Sequence, residues 1–157
     1  MPQLNGPALV AVGVPGEVHT TAKNPVGTIQ VYEGQEYIYL KGVAATIAGA
    51  WVTFDEAFLT ALMDTDTAAT IVGPVAIATA AIVANTWGWY LRSGSISAGA
   101  GDVADNARVF ATSTAGVCDD AAVNGAQVLG AIWRGEDASS LALVQIQRPW
   151  IGSADTT

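Results

Sequence analysis

Any chemistry in this chain has to come from very few side chains. His19 is the single histidine and Cys118 the single cysteine. Neither can build a metal site with its own kind, and a His-Cys dyad would need the N-terminal segment to fold back over the body. A serine triad could recruit only His19, and no Gly-x-Ser-x-Gly elbow exists to seat its nucleophile. The expected assignment is an exposed histidine and a small packed thiol.

The acidic residues offer little more. Asp119-Asp120 and Glu136-Asp137 fall at expected turns, where short acids satisfy backbone amides. An enzyme would have to use these four carboxylates, as a glycosidase uses its pair. Gly99-x-Gly101-x-x-Ala104, with Asp119 farther on, has the form of a dinucleotide fingerprint, but the preceding strand is serine-rich and no repeated helix-strand units follow. A glycine-rich loop is the better reading. "DTDTAAT", Asp64 to Thr70, begins like a calcium loop, yet Ala68 and Ala69 occupy liganding and turn positions, and Val75 stands where the bidentate glutamate belongs. No cofactor or metal is expected.

Tryptophan is the remaining resource, at positions 51, 87, 89, 133 and 150. Trp87 and Trp89 lie two residues apart and so share one face of a strand, as a binding platform or as packing between sheets.

These side chains must be held by a scaffold that composition describes well. The chain has 157 residues, 51% apolar and only 13% charged, with 17 glycines, which suits one sheet-rich domain with many tight turns. A formal charge of −8 argues against nucleic acid as a direct partner, because the surface repels phosphate polymers. One cysteine permits no internal disulfide, which fits folding in a reducing cytosol. The N-terminus lacks a basic region and its apolar stretch is broken by Pro7, Gly13 and Pro15, so no secretion signal is expected.

Residues 1–26 carry four of the six prolines and read as an extended arm. "GTIQVYEGQEYIYLKG" alternates around the turn "EGQE" and reads as a hairpin. Trp51 to Leu62 has two readings. Thr53 with Glu56 matches a capping box and would begin a short helix over 54–63, whereas Trp51 to Phe54 and Phe58 to Leu62 would form a hairpin turning at Asp55-Glu56-Ala57. The strand context favours the hairpin.

The uncharged run from Thr67 to Leu91 is 25 residues long, enough for a membrane span. Gly73-Pro74 and Asn85-Thr86 argue instead for two strands, Val75 to Val83 and Gly88 to Ser97, apolar on both sides and therefore covered on both faces. No membrane partner is expected. Strands are also read at "ARVFATS", "GVCDD", "QVLGAIWRG" and "LALVQIQ", the last closed by Pro149, with turns at "TAG" and "EDASS". Turn signals at this spacing imply an antiparallel β-barrel or sandwich over residues 27–151, followed by a flexible tail at 152–157.

The second half also resembles a known family. The strand at Gly73 to Ile77, the Asn-x-x-Gly-Trp turn at Asn85 to Trp89, the "AxVF-x-x-(S/T)-x-AG" segment at Ala107 to Gly116 and the closing "LVxIxxP" strand are similar to the small head decoration, or cement, proteins of tailed bacteriophages. Lys23 to Ala44 is similar to that family's first hairpin. The resemblance spans about residues 23 to 151. It implies an all-β, usually trimeric, non-enzymatic protein outside the mature capsid that bridges major capsid protein subunits. The arm before Lys23 varies in such proteins and is a candidate for contacting a neighbour.

The expectation is thus a capsid decoration protein on the virion exterior, assembled in the host cytoplasm, with Trp87, Trp89, Trp133, Trp150, Pro7 and Pro15 as candidate interface residues. The alternative is a tail- or fibre-type β-module that binds host carbohydrate through Trp87 and Trp89.

Overall fold

The computed structural model describes residues 11–65, 73–135 and 139–152. Among the described residues eleven strands form one antiparallel network: β1 Val18–His19, β2 Ile29–Tyr32, β3 Gln35–Lys41, β4 Trp51–Phe54, β5 Thr60–Leu62, β6 Gly73–Ala78, β7 Trp87–Gly99, β8 Arg108–Ala111, β9 Cys118–Asp119, β10 Gln127–Trp133 and β11 Leu141–Ile151. The order along the sheet is β2-β3-β7-β6-β11-β10-β8-β9, with β4 bridging β5 and β6. The sheet does not close into a barrel; it folds over itself as a compact, sandwich-like all-β structure.

The fold turns on β7. Its first half pairs with β3, from Lys41↔Trp87 to Glu36↔Ser93, and its second half pairs with β11, from Gln147↔Ser93 to Leu141↔Gly99. One long strand therefore belongs to both layers. Between them lies the main core, where Tyr39, Trp51, Ile77, Trp89 and Leu91 from one layer meet Val109, Val128, Trp133, Val144 and Ile146 from the other. Trp89 meets Tyr39 edge-on with centroids 5.0 Å apart, and Trp51 meets Trp133 at 5.9 Å.

A second core explains the uncharged run. Ile38, Leu40, Val52, Ala76, Ala78 and Tyr90 point to the opposite side of the first layer and pack there with Phe54, Phe58 and Ile82. Successive residues over 37–40, 51–52, 75–78 and 89–91 thus enter different cores, and both faces of these covered stretches are free of charge.

Local chemistry sets the turns. Glu33 and Gly34 both have positive φ, 49° and 77°, which matches the twist of β2 and β3 in a two-residue hairpin. The helix considered over 54–63 does not form. Thr53 is buried in β4, and the Asp55 carboxylate instead accepts the amides of Ala57 (3.0 Å) and Leu59 (2.9 Å), holding the turn into β5.

Two strand ends differ from expectation. β6 stops at Ala78 rather than Val83, because Ile82 and Val83 direct their amides back to Ala80 and Ala81 while the Ile82 side chain enters the second core. β11 does not end before Pro149. It bulges there: Ala131 faces Ile146 but Leu129 faces Trp150, and Arg148 takes φ 44°. The missing proline N–H falls in the bulge, after which β11 pairs with Gly73–Pro74 of β6.

The described part of the expected arm, residues 11–26, is laid on the domain. Val18 and His19 pair with Gly88 and Trp87. Buried Asn24 grips Val12 twice, accepting its N–H at 2.7 Å and donating to its carbonyl at 2.9 Å. Pro7 lies outside the described residues, as do 153–157 of the expected tail.

Candidate interaction face

Those residues singled out for chemistry that the structure describes at hydrogen-bonding detail, His19, Cys118, Asp119 and the glycine-rich loop, are engaged in building the fold. His19 Nδ1 lies 2.7 Å from the Tyr39 hydroxyl, which also accepts the Lys23 amide, and its Nε2 lies 3.5 Å from Glu17. Cys118 is fully buried, and burial with the adjacent Asp119 charge pushes its thiol well above the ordinary value. The dyad is not formed. Gly99 and Gly101 spend their amides on the carbonyls of Gly49 and Cys118, and the Ala104 amide goes to Asp120 Oδ2 at 2.9 Å, so the N–H groups of the three fingerprint positions are committed within the fold rather than offered to a phosphate. Asp119 caps the Ala121 amide at 3.1 Å; burial raises its carboxyl, against that hydrogen bond. Glu136 and Asp137, and most of the Asp64 to Thr70 segment, lie outside the described residues. Among the described residues no group of three His, Cys, Asp or Glu side chains is placed to hold a metal. No helix there is long and apolar enough to cross a membrane.

The tryptophans divide by burial. Trp89 and Trp133 have no exposed surface, so neither can touch a partner at the surface of this chain. That corrects their assignment as interface residues, and it removes half of the proposed Trp87–Trp89 platform. Trp87 is half-buried against the main core, with the Lys41 ammonium 5.8 Å from its ring centroid. Pro15 is half-buried. Trp150 is 47% exposed.

Trp150 marks an unanticipated face. The second half of β7, β11 and β10 turn Ala98, Val144, Ile146 and Trp133 inward, so their alternate residues point out. Register places Ser95 beside Gln145 and Ile132, and Ser97 beside Leu143, while Leu141 lies beside Gly99. Beyond the bulge Trp150 sits between Leu129 and Pro74. Leu129, Leu141 and Leu143 are 55%, 39% and 44% exposed. A shallow depression of about 310 Å³ lies in the middle, walled by Gly130, Ile132, Arg134, Gln145 and Gln147.

Electrostatics set this face apart in an acidic chain. Arg134 is steadied by Gln145 Oε1 at 2.9 Å and Asn106 Oδ1 at 2.7 Å. The carboxylate at its rim, Glu36, accepts hydrogen bonds from Arg148 Nε and Nη2 (3.1 and 2.9 Å) and is approached by Arg92 at 3.4 Å. Those contacts, led by the Arg148 hydrogen bonds, hold the Glu36 carboxyl below its usual range despite burial. Among the described residues the remaining carboxylates lie on the arm, in turns and around β9. The "LALVQIQ" alternation contained this face, but leucines on one side and Ala, Val and Ile on the other gave no means of choosing which side was core.

No protein-family model matches the chain, and neither a curated protein nor a solved structure matches it.

Proposed function

We propose that this chain is a capsid decoration protein: a non-enzymatic module that binds the outside of a tailed-phage head and stabilises contacts between major capsid protein subunits. The sequence resemblance over about residues 23 to 151 points to this class. The observation that carries the reading is the flat face of β7, β11 and β10, which exposes Leu129, Leu141, Leu143 and Trp150 around a depression whose one charge among the described residues is Arg134. Large apolar side chains on a flat surface with little charge suit burial against another protein, whereas catalysis needs convergent polar groups in a cleft. In such a role function is binding energy. Contacts available only on the expanded shell stabilise that state by linkage.

The reading includes threefold self-association and residence on the virion exterior. The test is co-sedimentation of the purified protein with expanded and unexpanded heads, followed by thermal melting of the decorated particles. Selective binding to expanded heads and a raised particle melting temperature are expected. Equal binding to both, or no change in melting, refutes it. The carbohydrate reading loses its platform with the burial of Trp89, and binding on a glycan array that disappears in Trp87→Ala would restore it.

A further inference from the structure

We infer that β2 is a self-complementary edge through which two copies of this chain join their sheets about a twofold axis. β2 ends the strand order and, among the described residues, pairs only with β3. Its sequence, Ile-Gln-Val-Tyr, contains no charge, proline or bulge, which are the devices that usually keep exposed edges apart. Val31 is 72% exposed, the highest among the exposed large apolar residues described, and Ile29 is 40% exposed.

The hydrogen-bond phase of the hairpin fixes what this edge offers. Tyr39 donates to the Thr28 carbonyl at 2.9 Å, so Thr28 faces β3 with its backbone groups. Alternation then turns Gln30 and Tyr32 inward as well, and leaves the N–H and C=O of Ile29 and Val31 pointing away from the sheet. An antiparallel partner can bond only to these outward groups. If the partner is another β2 centred on Gln30, Ile29 of each copy meets Val31 of the other. That register forms four backbone hydrogen bonds and places both exposed apolar side chains against each other, as an extension of the row begun by Ile38. It brings no like charges together on the strands, and Glu36, on the same face, is already paired with Arg92 and Arg148.

A four-residue strand pair is smaller than a standard interface, so association is reversible and is reinforced when other contacts hold copies side by side. The twofold pairing is separate from the threefold association proposed above, and does not depend on it.

The test uses the full chain alone. Across the twofold axis Gln30 faces its own copy as a non-hydrogen-bonded pair, with Cα atoms about 4.5 Å apart, within disulfide range. Tyr32 shares the strand and the side of Gln30 and is 38% exposed, but its two copies would be offset by about 13 Å and cannot bridge. Native Cys118 is fully buried and does not compete. Under mild oxidation Gln30→Cys is expected to give about tenfold more covalent dimer than Tyr32→Cys, a difference set by that geometry. Adding Val31→Lys to Gln30→Cys should abolish the excess, since an edge lysine opposes pairing. Equal cross-linking of the two single-cysteine variants, or dimer that survives Val31→Lys, overturns the inference. Sedimentation of chains without added cysteines provides an independent readout: mass should rise with concentration for the parent chain by a step that Val31→Lys removes, and identical curves for the two also overturn it.

Discussion

Replacing each fully buried tryptophan by phenylalanine separates packing from hydrogen bonding in the main core. Trp51, Trp89 and Trp133 are all 0% exposed. The exchange removes a similar volume at each site and costs on the order of 1–2 kcal/mol in lost packing. The indole N–H groups differ. Trp51 donates to the Gly99 carbonyl at 3.1 Å and Trp133 to the Asp119 carbonyl at 3.2 Å, whereas buried Trp89 Nε1 has no partner among the described residues. Trp51→Phe therefore adds the loss of a hydrogen bond, about 0.5–1.5 kcal/mol, while Trp89→Phe relieves an unsatisfied buried donor, about 1–3 kcal/mol. The expected net effects are about 2–3 kcal/mol of destabilisation for Trp51→Phe and close to zero for Trp89→Phe, a gap of about 2 kcal/mol. Urea unfolding followed by far-UV circular dichroism resolves this: at an m-value of about 2 kcal/mol/M the midpoints should differ by about 1 M. Trp133→Phe should fall with Trp51→Phe. If Trp89→Phe and Trp51→Phe lie within about 0.5 kcal/mol of each other, the hydrogen-bond reasoning is wrong.

Three shorter predictions concern other links in the structure. Glu33→Asn should stabilise the first hairpin by about 0.5–1 kcal/mol, seen as a higher melting temperature, because asparagine accepts positive φ more readily than glutamate. Glu36 has its carboxyl held below the ordinary 4.5, first by the Arg148 hydrogen bonds. The stabilisation from the ionised group is thus fully present above its unfolded value and is lost as pH falls through the lower folded value. Stability of the parent chain should decline below pH 4.5 more steeply than that of Glu36→Gln, and parallel urea midpoints would exclude this contribution. Cys118, fully buried with its thiol raised, should resist a thiol-reactive disulfide reagent in the native state and react at once in denaturant; rapid native labelling would place it at the surface.

Several elements were legible from the chain because their signals are local. Alternation and the "EGQE" turn predicted β2 and β3, and the chemistry of a positive-φ turn completes that hairpin. The strand context favoured a hairpin of β4 and β5 over a helix, and the Asp55 contacts hold its turn. The uncharged run from Thr67 to Leu91 required strands covered on both faces once Gly73-Pro74 and Asn85-Thr86 had divided it. Strand ends were harder. Thr79 to Val83 has the composition of a strand, but Ile82 is captured by a core that lies elsewhere in the sequence.

Composition and periodicity, read along the chain, determined an acidic, all-β domain with a single histidine and a single cysteine. Tertiary structure alone decided which tryptophans are core, that the described part of the proline-rich segment lies on the domain, and which side of "LALVQIQ" faces outward. The physical reason is that local alternation fixes only that two faces exist. Which one is buried depends on the layer packed against it, and Trp133 and Trp150 look alike until β11 has a partner sheet on one side and open surface on the other.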